Sequence, residues 1–313
     1  MPLFSVIIPL YNKENFIKTT LKSILSQSFT DYEIIIVNDG STDNSAAIAA
    51  QVIKNKPNAI LLNQENQGLS TTRNNGIKKA KGEIIALLDA DDLWHKNFLQ
   101  EIHNLYIKFP EASIYGTDYL EKYTDKNILE PKKNIASHLK GTSFIIDDFF
   151  KANWFQPIIC QSSIAFKKQI FNTVDYNSEI TFAEDLDFYI KTNLEYKFAY
   201  YYKPLATILF SVPNQMTNVG FKGKQIPDFD FYEKYIAKHN SLKKYLDFNR
   251  YYLLVKAKVT GDKENFIKLK KRLNVSNLNW KQKLLYYAPV SVIKGFRFIK
   301  LLLLRFNIRI TSN

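Results

Sequence analysis

A doubly wound α/β fold, with a mostly parallel central sheet and helices on both faces, is the class this sequence predicts. The first observation is a set of continuous apolar runs at residues 3–10, 33–37 and 84–88. Runs apolar at every position suit strands covered on both faces, as parallel strands are. The second is that these runs alternate with segments of helical periodicity, the pattern of βαβ units. The third is that the turns after several of the strands carry polar or acidic residues, at the edge where open α/β sheets bind ligands.

Residues 3–10 (LFSVIIPL) read as a buried strand with Pro9 at its end, because proline has no N–H for a ladder. Phe16, Ile17, Leu21, Ile24 and Leu25 recur at helical spacing and predict an amphipathic helix. The strand at 33–37 runs into the turn Asn38-Asp39-Gly40-Ser41, and Ser41 to Asp43 offer N-caps for a helix ending near Asn55. Residues 59–62 predict a third strand, 69–80 a third helix and 84–88 a fourth strand. Beyond them, 97–108 reads as a helix, 113–117 and 158–166 as strands, and the polar segment 124–137 as a mobile excursion. Ala183-Glu184-Asp185 opens another helix, and carboxylates in a first turn also complement the helix dipole.

With 46% hydrophobic and 23% charged residues, the 313-residue chain is neither disordered nor membrane-spanning by composition. No apolar run approaches the roughly 20 residues a spanning helix needs. Cys160 is the only cysteine, which excludes an intramolecular disulfide and suits a reducing, cytoplasmic setting. Residues 2–10 are too short for a signal peptide, and Asn12, Lys13 and Glu14 follow at once.

The stretch 84–94 (IIALLDADDLW) organises the rest. A buried strand that runs into Asp89, Asp91 and Asp92 must compensate them, because a desolvated carboxylate wants a cation or hydrogen-bond donors. A divalent metal carrying a phosphorylated ligand is one solution, since Mg²⁺ is commonly held by one or two carboxylates plus phosphate oxygens. A solvated helix-capping loop is the competing reading. Tyr11-Asn12, Asp39 and Asp89/Asp91 all fall at carboxyl ends of strands, so separate loops converge on one edge of the sheet.

The motifs SVIIPLYN (5–12), IIIVNDGSTDNS (34–45), NQGLSTTRNNG (66–76), LLDADD (87–92) and AEDLDF (183–188) resemble, in order and spacing, the family 2 glycosyltransferases of the GT-A fold. The resemblance runs over roughly residues 3–217. It implies an inverting transferase that uses a UDP-sugar with Mn²⁺ or Mg²⁺ and acts on a glycan or lipid-linked acceptor in surface polysaccharide synthesis. It implies that Asp39 accepts from the uracil N3–H, that Pro9, Tyr11 and Asn12 line the base and ribose, and that Asn66 and Gly68 belong to the loop before Arg73. Arg73 is then expected to close over the base or pyrophosphate. Asp89 is expected to hold the ribose, with Ala90 beside it, and Asp91 to ligate the metal. Asp185 matches the general base, with Glu184 as the fallback. Trp154, Gln161 and Ser162 fall where acceptor contacts are expected, although a core position suits Trp154 equally.

One departure stands out. Where many relatives carry Tyr-Arg-x-His, this chain has Leu209-Phe210-Ser211-Val212-Pro213-Asn214, so Ser211, Asn214 or Gln215 is left as a weak substitute at the metal or diphosphate. Leu186 follows the acidic pair where many relatives have Trp. A catalytically silent sugar-nucleotide or glycan-binding module, and a nucleotidyltransferase, remain the alternatives.

Charge divides the chain into 1–217, the transferase domain, and a helical basic region at 218–313. Residues 220–313 hold 21 Lys+Arg against 6 Asp+Glu, whereas 1–219 hold 22 against 24. Lys294, Arg297, Lys300, Arg305 and Arg309 punctuate Phe296, Phe298, Ile299 and the run 301–304. This spacing predicts that 282–313 includes an interfacial helix on an anionic membrane, which places the protein peripherally on the inner face of the cell membrane. Packing on the catalytic domain or in a homo-oligomer is the competing reading, and nucleic acid is not expected as a partner.

Overall fold

The computed structural model describes residues 1–210 and 220–305. The chain opens β1 (Phe4–Leu10), α1 (Ile17–Leu25), β2 (Tyr32–Asp39), α2 (Ser45–Ile53), β3 (Ala59–Gln64), α3 (Leu69–Lys79) and β4 (Ile84–Leu87). This is the expected alternation, and the strands pair in parallel in the order β3-β2-β1-β4. β1, β2 and β4 are almost wholly buried, which is why their sequences show no polar alternation. Pro9 is tolerated in β1 because pairing with β4 stops at Ile7↔Leu87, so the missing N–H falls past the end of that ladder.

The second half departs from simple βα repetition. After β5 (Leu93–Trp94) and α4 (Phe98–Lys108) come β6 (Ile114–Thr124), β7 (Asn127–Leu129), β8 (Ser143–Ile145) and α5 (Phe149–Ala152). Then follow β9 (Ile164–Lys167), α6 (Glu184–Glu195) and β10 (Phe198–Leu209). β9 runs antiparallel between β4 and β6, and β10 pairs in parallel with β6, completing a ten-stranded sheet. No local pattern announces β10. Its pattern is broken by Lys203-Pro204, and the register indeed shifts on both sides of Pro204, as at a bulge.

Two local expectations need correction. The strand at 158–166 exists only from Ile164, because Gln161–Ser163 form a 3₁₀ turn whose side chains face inward. The excursion at 124–137 is anchored rather than free. β7 forms a hairpin with β6, and Lys133 is drawn into the core, where its ammonium meets the equally buried Asp118. Burial pushes the Asp118 carboxyl up to about 6, with Lys133 pulling the other way, and burial lowers Lys133.

The C-terminal segment contributes α7 (Leu242–Thr260), α8 (Lys263–Lys271), α9 (Trp280–Tyr287) and α10 (Val290–Arg305). Phe221, Leu242, Tyr245, Leu246, Leu253 and Leu254 share one apolar core with Phe149, Phe150, Phe188 and Tyr189. Tyr232 donates its hydroxyl to Asp187 of α6, so this segment grips the helix that begins at Glu184. Among the described residues no helix is long and apolar enough to cross a membrane.

Candidate active site

The carboxyl ends of β1, β2 and β4 bring together the loops that carry the motifs. The loop after β1 is locked to the loop after β2. Asn12 N–H donates to Ser41 Oγ (3.1 Å), Lys13 N–H to Ser45 Oγ (2.6 Å) and Glu14 N–H to Asp43 Oδ2 (3.1 Å). In return Thr42 N–H donates to Asn12 Oδ1 (2.8 Å) and Asn44 N–H to Glu14 Oε2 (3.0 Å). Asn12 takes a left-handed conformation (φ 50°), which asparagine tolerates better than most residues. Tyr11 stays exposed at the edge.

Asp39, the last residue of β2, is buried, and its Oδ1 accepts from Gln64 Nε2 (2.7 Å) and Gln67 N–H (2.8 Å). Its Oδ2 accepts from Gly68 N–H (3.0 Å), just before α3, so the carboxylate also neutralises the start of that helix. A carboxylate offers about four lone-pair positions. Three are taken, and one remains for an incoming N–H. Gly40 is required here: its φ is +70°, and a Cβ would stand 2.9 Å from the Asn66 backbone nitrogen. The loop bearing Asn66 and Gly68 could not otherwise fold over the end of β2.

Three carboxylates follow β4, and each has its own compensation. Asp89 meets Arg73 Nη2 at 2.9 Å, and Arg73 Nη1 meets Glu184 at 2.7 Å. Asp91 meets Lys13 Nζ at 2.8 Å. Asp92 accepts from Ser162 Oγ (2.6 Å) and from the Leu209 N–H (3.1 Å) at the end of β10. Burial, and then the charges of Asp91 and Asp89, push the Asp92 carboxyl well above the usual carboxylate range. Ala90 is buried, with its carbonyl accepting from Thr20 Oγ1 (2.9 Å).

Arg73, expected to close over the base or pyrophosphate, bridges two carboxylates. It is 2% exposed, bracketed by Asp89 and Glu184, with its guanidinium 5.3 Å from the Tyr176 ring centre. Two carboxylates on a desolvated guanidinium hold it firmly charged although burial alone would do the opposite. Its Nε–H is buried with no protein acceptor. Through Arg73 the start of α6 is tied to the end of β4.

Glu184 and Asp185 begin α6, directly after Ala183, whose φ of 63° is a strained conformation for a residue with a Cβ. Asp185 accepts the Leu186 N–H at 2.9 Å. Burial first, and the neighbouring Glu184 charge second, raise its carboxyl from 3.8 to about 7, with Arg73 opposing. On the other side of Asp185 stand Tyr245 and Tyr252 of α7, both raised by burial and then by the Asp185 charge, Tyr252 to about 12.

Of the expected acceptor residues, Gln161 and Ser162 are buried. Ser162 is fully buried, with its hydroxyl accepting from the Asp89 N–H (3.1 Å) while donating to Asp92. Gln161 is buried between Tyr176 and Tyr189. Both shape the floor under the carboxylates rather than offering atoms to a ligand. Trp154 is half-buried, with Lys244 Nζ 4.0 Å from its ring centre and its indole N–H on the Ser241 carbonyl (3.4 Å). Ser211, Asn214 and Gln215 lie outside the described residues. Sequence reasoning missed Lys13 and Ser162 as partners of Asp91 and Asp92, because nothing local tells which way either side chain turns.

Among the described residues no group of three or more His, Cys, Asp or Glu side chains could by itself hold a metal. Asp91 nevertheless takes a cation, the Lys13 ammonium, as its partner. The donor set therefore fits an ion held by one carboxylate and completed by phosphate oxygens and water, which is how Mg²⁺ is often bound.

This sheet order and the clustering of acidic loops at one edge define a GT-A fold. The description Glycosyl transferase family 2 matches residues 5–174, more than half of the chain, and the chain belongs to that family. It is 28% identical over 224 residues to the uncharacterized glycosyltransferase EpsJ of Bacillus subtilis (strain 168), covering 71% of this chain and 65% of that protein. It is 51% identical over 88 residues to the uncharacterized glycosyltransferase YibD of Escherichia coli (strain K12), covering 28% and 26%. The chain thus spans less than two thirds of these relatives. The S. aureus TarS 1-349 crystal structure in complex with UDP-GlcNAc superposes with a TM-score of 0.63 at 19% identity, over 94% of this chain and 91% of that one.

Proposed function

We propose that the protein is an inverting glycosyltransferase that moves a sugar from a UDP-sugar to a hydroxyl of a glycan or lipid-linked acceptor. One observation carries the reading: Arg73 joins Asp89 to Glu184, next to Asp185, while Lys13 joins the loops after β1 and β2 to Asp91. The candidate nucleotide, metal and base residues therefore share one edge of the sheet. The ligand held by TarS, UDP-GlcNAc, supports a UDP-sugar as donor.

In this reading the free acceptor position on Asp39 takes the base N–H, and Tyr11 and Asn12 border the base and ribose. Asp89 keeps one oxygen on Arg73 and has the other for the ribose. A divalent ion on Asp91, Mn²⁺ or Mg²⁺, supplies positive charge to the diphosphate. Asp185 removes the acceptor hydroxyl's proton as that oxygen bonds to the anomeric carbon and the sugar–diphosphate bond breaks. A carboxyl titrating near 7 is well placed for this, being partly ionised at neutral pH yet more basic than an ordinary carboxylate.

Residues 1–217 form the catalytic unit, and 218–313 dock it on an anionic membrane, where a lipid-linked acceptor would reside. Support comes from Trp280 (72% exposed), Tyr287 (71%) and Phe298 (64%), together with exposed Leu284, Phe296 and Ile299, interleaved with Lys281, Lys283, Lys294 and Arg297.

A thermal-shift panel of UDP-sugars with Mn²⁺ tests the reading, since a ligand bound only by the folded state raises its melting point. The donor should raise the Tm by a few degrees with metal, and an acceptor should then trigger UDP release. No shift with any UDP-sugar would overturn the assignment.

A further inference from the structure

We propose that Lys13 is a built-in counter-cation for Asp91, which holds that carboxylate in position until a divalent cation arriving with the diphosphate displaces the ammonium. The inference rests on the metal-assisted UDP-sugar reading and adds a positioning residue to it.

The three carboxylates after β4 are not held alike. Asp92 is held by a hydroxyl and a backbone amide, and neither has anywhere else to go. Asp89 is held by a buried guanidinium that is itself clamped by Glu184. Asp91 alone of the three is paired with a lysine, and that contact is largely shielded from water, at 12% and 11% side-chain exposure. An arginine fork locks onto a carboxylate, whereas an ammonium on a four-carbon stem is a single point charge that moves off readily. The exchangeable partner thus sits on the carboxylate a metal would need.

The backbone under Lys13 argues that this placement is built. Its N–H is bonded to Ser45 Oγ, its carbonyl accepts from Phe16 and Ile17 at the start of α1, and its neighbours Asn12 and Glu14 are pinned to residues 41–44. Only the stem is left free to move. Lys13 thus holds Asp91 in place, and in doing so it competes with the ion that the site is kept for.

Competition has a measurable sign. Mn²⁺ binding to the full chain can be followed by the loss of the free-ion electron paramagnetic resonance signal, with and without saturating UDP. Lys13→Met should bind Mn²⁺ alone at least about tenfold more tightly than wild type, because the competing charge is gone. Lys13→Arg should bind it at least about tenfold more weakly, because a forked guanidinium holds Asp91 faster. The Arg variant keeps the ion pair and so decides the matter if the Met variant does not fold. Unchanged Mn²⁺ affinity in the folded variants, or weaker binding by Lys13→Met, would overturn the role of Lys13 while leaving the metal reading intact. Failure of wild type to bind Mn²⁺ even with UDP would overturn both.

Discussion

Replacing Asp185 by Asn should separate chemistry from stability. The side chain opens α6, and its Oδ1 accepts the Leu186 N–H, a bond that an Asn carbonyl can also accept. Burial and the Glu184 charge raise the carboxyl from 3.8 to about 7. A value raised on folding means the ionised form is disfavoured in the folded state. Its contribution is then fully present below about pH 4 and is lost as pH rises through about 7. At about 1.4 kcal/mol per pH unit the whole rise is worth roughly 4 kcal/mol. Because the residue is partly exposed, solvent screening reduces that to a working figure of about 2 kcal/mol. Asn escapes this loss. The variant should therefore be about 2 kcal/mol more stable than wild type at pH 8, with the difference shrinking toward pH 5. Its turnover should fall by at least about 10²-fold. Urea midpoints at the two pH values, measured beside UDP release, make the check. A variant that is less stable than wild type at pH 8, or that turns over near-normally, would refute the reasoning. The same carboxyl predicts that wild-type kcat/KM rises with pH and levels off above about 7, since the base must be unprotonated.

Arg73→Met should cost about 3–5 kcal/mol in chemical denaturation, because it strands Asp89 and Glu184 without their shared cation. Wild-type stability in that variant would show the bridge to be incidental. For the buried Asp118–Lys133 pair, Asp118→Ala and Lys133→Met should each destabilise, whereas the double variant should recover at least about 1.5 kcal/mol of their sum. Strict additivity would mean that the two groups do not interact. Flotation with anionic liposomes should carry the full chain and fail once residues 282–313 are removed. Flotation unaffected by that truncation would place the membrane contact elsewhere.

The βα repetition of the first 87 residues was legible because strands buried on both faces must be apolar throughout and the covering helices must be amphipathic. Asp39 could be singled out as well, since a carboxylate closing a buried strand has few bland explanations. The second half was less legible. β10 hides behind Lys203-Pro204, which a bulge accommodates, and the segment around Lys133 looks like a solvated loop until Asp118 is seen beneath it. For the site, the sequence marked the acids at the strand ends but not their partners.

The sequence by itself determined the fold class, the family resemblance and the strand ends at which the acidic residues gather. These follow from hydrophobic period and from residue order, both of which are local. Only the tertiary structure decided that Arg73 is a buried bridge, that Ser162 supports Asp92 and that Lys13 reaches Asp91. Apart from Arg73–Asp89, which are 16 positions apart, those pairings join residues about 70 to 110 positions apart. Which charge meets which is fixed by how the packed elements aim their side chains, and no local pattern carries that.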